Sequence, residues 1–232
     1  MKRGALELGV DVNDRIDAFA TFLDLLVEAS GRMSLTTIRD ESGIVAKHFV
    51  DSLSCLRSEV LNSSMSVIDL GTGAGFPGLP LAIACPHLDV HLLDATRRKI
   101  EFVGSVIEAL ELPNAHPHVG RAETLGRQEG QRGRYDRVVT RAVSTLATLV
   151  ELSLPLLRDG GVLIAQKGPS VVDELEAGRK AAKLVGGEVE QVIEFRLPIT
   201  GETRSLVLVR KTRSTPAAYP RREGVPHRSP LF

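Results

Sequence analysis

The chain has no tryptophan, only two cysteines and no net charge. Cys55 and Cys85 both sit in apolar helical patterns. They make neither a disulfide framework nor the spacing of a metal or redox site, so buried reduced thiols of a cytoplasmic protein are expected. No apolar run is long enough to cross a membrane, and no hydrophobic leader follows Lys2 and Arg3. Internal repeats and low-complexity tracts are missing too. A formal net charge of zero leaves no global field to draw in a polyanion, so any such contact must be local.

What is present is a globular composition. Of 232 residues, 43% are hydrophobic and 25% charged, enough to bury a core in one large domain or in a smaller one with an extension. The charge is unevenly spread. From Arg204 onward there are seven basic residues against one acid, Glu223, whereas residues 1–66 carry seven basic and ten acidic residues. A neutral chain with a basic tail points to a local polyanion contact or to a solvated tail.

One stretch organises the rest. Val67-Ile68-Asp69-Leu70 reads as a buried strand, Gly71-Thr72-Gly73-Ala74-Gly75-Phe76-Pro77-Gly78 as a glycine loop, and Leu79 to Ala84 as an apolar helix. Glycines let a backbone turn tightly and approach a ligand, and Pro77 suits a first helical turn. Gly73 to Gly78 fit G-x-G-x-x-G, the dinucleotide fingerprint. Asp69 to Gly75 fit the acidic-x-G-x-G-x-G pattern of S-adenosylmethionine (SAM) methyltransferases. The acid at the strand end can hold the loop or an ammonium group, and sits badly beside a pyrophosphate. Both ligand classes stay open at this point.

Ahead of the loop, residues 13–30 read as an amphipathic helix capped by Asn13, and a second helix runs from about Ser42 to Leu61. His48 and Asp51 lie three apart on it and share a side. Past the loop, strands and helices alternate, as in a parallel α/β sheet. The strand Val90–Leu93 ends at Asp94, about twenty residues after the glycines, where an acid can accept both ribose hydroxyls of SAM or of a dinucleotide. Thr96 can cap the next helix. Arg97, Arg98 and Lys99 crowd its first turn, where the dipole disfavours cations, a hint of a nearby anion. A strand near Ala115–Val119 carries His116 and His118, a weak metal signal, and leads to Ala122 and Glu123 on the adenine side. Tyr135–Thr140 is a fourth strand, and Arg141 follows it at the carboxyl edge where such sheets bind ligands. A helix over 144–157, a turn at Arg158-Asp159-Gly160-Gly161 and a strand Val162–Gln166 come next, with Lys167 at the same edge. The helix Val171–Val185 stops at Gly186-Gly187. Val189–Leu197 and Arg204–Lys211 then form an antiparallel pair. That ending matches the class I methyltransferase plan, a mostly parallel seven-stranded Rossmann-like sheet with an antiparallel last strand. The expected parts are a helical extension (1–64), the methyltransferase domain (65–211) and a basic, proline-rich arm (212–232).

The chain resembles the RsmG (GidB) family of 16S ribosomal RNA methyltransferases. The resemblance is carried by Met33-Ser34-Leu35-Thr36-Thr37-Ile38-Arg39, His48-Phe49-Val50-Asp51-Ser52-Leu53, Asp69–Pro80, Leu93-Asp94-Ala95-Thr96-Arg97-Arg98-Lys99, Gly120-Arg121-Ala122-Glu123, Thr140-Arg141-Ala142 and Tyr219–Pro226. Ser34 departs from the family's usual Asn. The resemblance implies methyl transfer from SAM, yielding S-adenosylhomocysteine, to N7 of guanine 527 in the 530 loop of the small subunit. It implies cofactor contacts at Gly71, Phe76, Asp94, Ala95, Thr96, Ala122, Glu123 and Arg141; the glycine loop itself adds Gly73, and no metal is expected. His48 and Asp51 match a family motif to which no chemistry can be assigned from sequence. Guanine N7 carries a free lone pair, so neither a general base nor a covalent nucleophile is needed. Arg141 is expected to position a phosphate, O6 or the SAM carboxylate, since the usual O6/N7 fork would occupy the nucleophile. Arg97, Arg98, Lys167, Arg204, Arg221 and Arg222 are the expected RNA contacts. The arm is expected to be extended, to bury little and to grip rRNA outside the cleft. The partner that the resemblance implies is 16S rRNA in the small subunit or an assembly intermediate, and the protein is expected to act as a monomer.

Overall fold

A computed structural model describes residues 1–141 and 144–232. Ala142, the last residue of the Thr140-Arg141-Ala142 match, lies outside the described residues. The β-branched and leucine-rich runs form seven strands: β1 Met65–Leu70, β2 Leu88–Asp94, β3 Ala115–Val119, β4 Tyr135–Thr140, β5 Leu157–Lys167, β6 Gly187–Arg196 and β7 Thr203–Lys211. They make one sheet in the order β3-β2-β1-β4-β5-β7-β6. The first five pair in parallel. Parallel neighbours need crossover connections. Helices α5 Gly78–Ala84, α6 Arg97–Ala109, α7 Ala122–Leu125 and α8 Leu146–Ser153 provide them, and α9 Val171–Val185 leads into the terminal hairpin. β7 inserts antiparallel between β5 and β6, as the short Pro198–Glu202 link predicts.

Alternation along the strands splits the core in two. Val67, Val139 and Ile164 face one side, with α5, α6 and the N-terminal helices. Ile68, Val138 and Leu163 face the other, with α8 and α9. Each face excludes water from one sheet surface, the term that drives such layered packing.

Several boundaries differ from the sequence reading. An additional short helix, α1 Lys2–Glu7, precedes the amphipathic one. Asn13 does not cap: residues 13–15 form a 3₁₀ turn before α2 Ile16–Ser30, and the Asn13 N–H itself donates to Asp11 at 2.9 Å. The second helix starts at Asp40, whose carboxylate accepts the Gly43 N–H at 2.7 Å. It changes pitch as it runs: α3 Glu41–Ile44, a π-turn over Val45–Val50, α4 Asp51–Leu53, then a 3₁₀ end at Ser54–Ser58. β5 already begins at Leu157. Its register against β4 jumps from Tyr135↔Leu157 to Arg137↔Val162, so Arg158–Gly161 bulges out as the expected turn within a longer strand.

The largest correction concerns residues 212–232. They are not a free arm. Arg132 donates to the carbonyls of Thr215 (2.7 Å) and Tyr219 (2.8 Å). Tyr219 and Leu231 pack against the α8–α9 side of the core. Val225–Arg228 closes one helical turn, α10, with Pro226 buried in it. Prolines do preclude a long helix here, but they equally fit a segment held by side chains of the domain.

Candidate active site

The loop after β1 depends on its glycines. Gly71, Gly73 and Gly75 have φ of 73°, 60° and 101°, the left-handed region that side chains rarely adopt. At Gly75 an added Cβ would also lie 2.3 Å from Leu79 Cδ1. At Gly73 it would meet nothing nearer than a carbonyl at 4.0 Å, so the loop presents open space there for a ligand. Two strand-end acids hold it. Asp69, fully buried, accepts the Gly78 N–H at 2.8 Å, and burial pushes its carboxyl up to about 7. Asp94 accepts the Gly73 N–H (3.0 Å) on one oxygen and the Thr96 N–H (2.8 Å) on the other. Asp94 thus braces the turn into α6, whose N-cap residue is Thr96, rather than capping the helix itself, and each carboxylate oxygen can still accept a further bond.

Beyond the carboxyl ends of β1 and β2 lies a cavity of about 190 Å³. Gly71, Asp94, Ala95, Ala122 and Glu123 all line it, as does Thr140. Gly73 and Thr96 do not line it; their N–H groups bond to Asp94, which does. The remaining walls of the cavity are Leu70, Leu93, Leu149 and Leu152 with Gly120, Arg121 and His227, an apolar surface with a few polar groups that suits a purine ring beside a hydroxyl-bearing ribose. These features fit the adenosyl part of SAM. Phe76 does not line this cavity. Its ring is buried and stacks on Phe22 (5.2 Å) and His48 (4.8 Å), so it locks the N-terminal helices onto the loop.

A second, larger cleft of about 900 Å³ opens beside the first. Arg141 stands between them. Its guanidinium lies 5.2 Å from the Phe76 ring centre, donates to the Lys47 carbonyl at 2.9 Å and to His48 Nδ1 at 3.1 Å, and pairs with Asp51 at 3.4 Å. Because Nδ1 accepts, His48 carries its proton on Nε2, which donates to Thr36 Oγ1 at 2.7 Å. Burial, and then Arg141, lower the imidazole pKa to about 4. Asp51, 5% exposed, is pushed up by burial and held down by Arg141 and Arg204. His48 lies in the π-turn and Asp51 follows it directly, and both side chains reach one guanidinium; such turns recur at functional sites. Sequence spacing put both residues on one side but contained nothing to point at Arg141. Arg141 lines the larger cleft, and its donors hold the helical extension.

The expected RNA contacts divide. Lys167 lines the cleft but is tied to Glu174 (2.8 Å) and the Ser144 carbonyl (2.7 Å). Arg204 pairs with Asp51 (3.2 Å) and Glu202 (2.7 Å). Arg97, Arg98 and Arg222 are exposed. Arg221 forms a bidentate pair with Glu151 at 2.6 and 2.8 Å, and Glu151 is 0% exposed. Arg221 therefore anchors the C-terminal segment to the domain, with its guanidinium already paired. The one acid in the apolar run Leu146–Leu157 was the signal that something basic must meet it. His116 and His118 are absorbed in a hydrogen-bonded ladder with Asp89 (2.7 Å) and His91 (2.8 Å). Among the described residues no group of three or more His, Cys, Asp or Glu could hold a metal.

A class I SAM-dependent methyltransferase is what this sheet order and loop define. Solved structures agree on the fold: a SAM-dependent methyltransferase from Aquifex aeolicus (17% identity, TM-score 0.56, 73% of this chain and 93% of that one) and M. jannaschii TYW2 in complex with AdoMet (17%, 0.54, 70% and 76%). The chain belongs to the GidB family, described as rRNA small subunit methyltransferase G, which matches residues 15–206. It is similar to the ribosomal RNA small subunit methyltransferases G of Deinococcus deserti (55% identical, 99% of this chain and 94% of that one) and Deinococcus radiodurans (53%, 100% and 92%). The relative from Bacillus subtilis is 39% identical over 98% and 96% of the two chains. Family membership sets aside the dinucleotide reading of the glycine loop.

Proposed function

We propose that this protein transfers the methyl group of SAM to N7 of guanine 527 in the 530 loop of 16S rRNA, on the small subunit or an assembly intermediate. One observation carries the reading. Thr140 lines the adenosyl-sized cavity, and the next residue, Arg141, lines the large polar cleft. Two sites of different size and chemistry thus meet at one strand end, as transfer between two bound reactants requires.

The division of labour follows. When bound, SAM supplies an electrophilic methyl on a sulfonium. Asp94 and Glu123 would hold its adenosine, and Gly71 and Gly73 would let its chain lie on the backbone. Residues 65–211 supply most of this site, and Lys47, His48 and Asp51 of the extension 1–64 wall the acceptor cleft together with Arg141, Lys167 and Arg204. The N7 lone pair needs no base, and His48 is not placed as one: its Nδ1 is occupied by Arg141 and it is held neutral. Arg141 is a positioning group, since its donors are directed to Lys47, His48 and Asp51. The cleft cations Lys47, Lys167 and Arg204 each have a carboxylate neighbour, and in the half-exposed Lys47–Glu202 pair a phosphate could replace it at small cost, since exposed pairs are worth about 0–1 kcal/mol. A monomer in the cytoplasm suffices for this chemistry, and no helix among the described residues is long and apolar enough to span a membrane.

The test is incubation with labelled SAM and small subunits lacking the modification, followed by mapping of the labelled nucleotide. Label at N7 of guanine 527 supports the proposal. Label at another nucleotide, or none on either subunits or their precursors, overturns it.

A further inference from the structure

The C-terminal segment reaches the cofactor cavity. Three contacts hold it there. Arg221 is clamped on buried Glu151. The Gly224 N–H donates to Glu123 Oε1 at 2.9 Å. Thr148 Oγ1 donates to the Pro226 carbonyl at 2.9 Å. The next residue, His227, lines the same cavity as Gly71, Asp94 and Glu123, and its Nδ1 lies 3.3 Å from Ser144 Oγ. Its ring is otherwise exposed, so a ligand in the cavity would cover a surface that is now wet.

We infer that residues 221–228 form one wall of the cofactor site and that His227 contacts the adenosine side of bound SAM. This rests on the SAM reading above and adds to it a residue from the opposite end of the chain. The Gly224 contact occupies only one oxygen of Glu123, so docking of the segment and recognition of adenine share a single carboxylate. Two events that share a group are coupled, and the coupling is reciprocal. Cofactor binding should therefore tighten the segment, and the docked segment should tighten the cofactor.

The experiment uses the full chain. SAM affinity is measured by calorimetry for wild type and His227→Ala, alongside the melting temperature without SAM. Because the ring is exposed, His227→Ala should melt with wild type and bind SAM about tenfold more weakly, the size of a single polar or stacking interaction. In the imidazole NMR spectrum, the signal missing from His227→Ala identifies His227. That signal should shift when wild type is saturated with SAM, which a merely structural side chain would not do. Wild-type affinity in His227→Ala, or an unmoved His227 signal at saturation, overturns the inference while leaving SAM binding intact. A wild-type chain that fails to bind SAM overturns the cofactor reading, and this inference with it.

Discussion

Gly73 occupies a left-handed conformation, φ 60°, beside open space. Gly73→Val would place a β-branched side chain where the ligand must lie. It should cost about 1–3 kcal/mol of backbone strain while preserving the fold, and abolish measurable SAM binding by calorimetry. Asp94→Ala removes the acceptor of both the Gly73 and Thr96 amides as well as the ribose contact. SAM affinity should fall by about tenfold or more, since a charged hydrogen bond contributes about 1.5–3 kcal/mol. The buried ionisable groups act in opposite senses on stability. His48 has a folded pKa of about 4 against an ordinary 6.5. Between those values the unfolded chain binds the proton and the folded one does not, so the His48 contribution to stability rises with pH across that window. Asp69, raised from 3.8 to about 7, binds its proton in the folded state across that range, so its contribution falls as pH rises. In melting curves, the stability of wild type relative to His48→Gln should therefore increase from about pH 4 to 6.5. Relative to Asp69→Asn it should decrease from about pH 4 to 7.

At the scale of elements, the helical run from Glu41 to Ser58 and the C-terminal segment are the parts that residue patterns described least well. Apolar spacing located the first as one regular helix, because Val45, Phe49, Leu53 and Leu56 recur at helical intervals. A change of pitch leaves that pattern almost unaltered, so it is invisible until the packing of Phe49 against Phe22 (5.1 Å) and Phe76 is known. The second read as solvated because its prolines and arginines suit an unstructured arm. What holds it lies far back in the chain, in Arg132 and Glu151. Arg221→Ala leaves the Glu151 carboxylate buried and unpaired. It should destabilise the protein by about 3–5 kcal/mol in urea unfolding, and Glu151→Gln in the same chain should restore part of that. A fully stable Arg221→Ala protein would show that the segment is not anchored there.

For the whole molecule, electrostatics set the encounter with RNA. The tail arginines do not act as one basic patch, because Arg221 and Arg204 are already neutralised by carboxylates. Of the cations expected to touch RNA, Arg97 and Arg98 at the α6 N-terminus and Arg222 are the exposed ones. If they meet phosphates, Arg97→Ala with Arg98→Ala should leave SAM affinity unchanged and lower the logarithmic salt slope of subunit binding by about 0.7–0.9 for each phosphate no longer neutralised. Arg221→Gln should leave that slope unaltered. Filter-binding titrations at several salt concentrations measure both, and an unchanged slope in the double variant would place the RNA elsewhere.

By itself the sequence determined the α/β plan, the glycine loop with its two strand-end acids, the antiparallel finish and the family. Each is written in local terms, as a regular strand or helix period, a residue that alone tolerates positive φ, or a run of contiguous motif residues. Only the tertiary structure decided which side chains share a partner. Asp51 and His48 converge on Arg141, Glu151 receives Arg221, and His227 arrives beside Asp94 from the far end of the chain. The physical reason is that a buried charge must find its counter-charge through space, whereas local periodicity records only which face of an element is apolar.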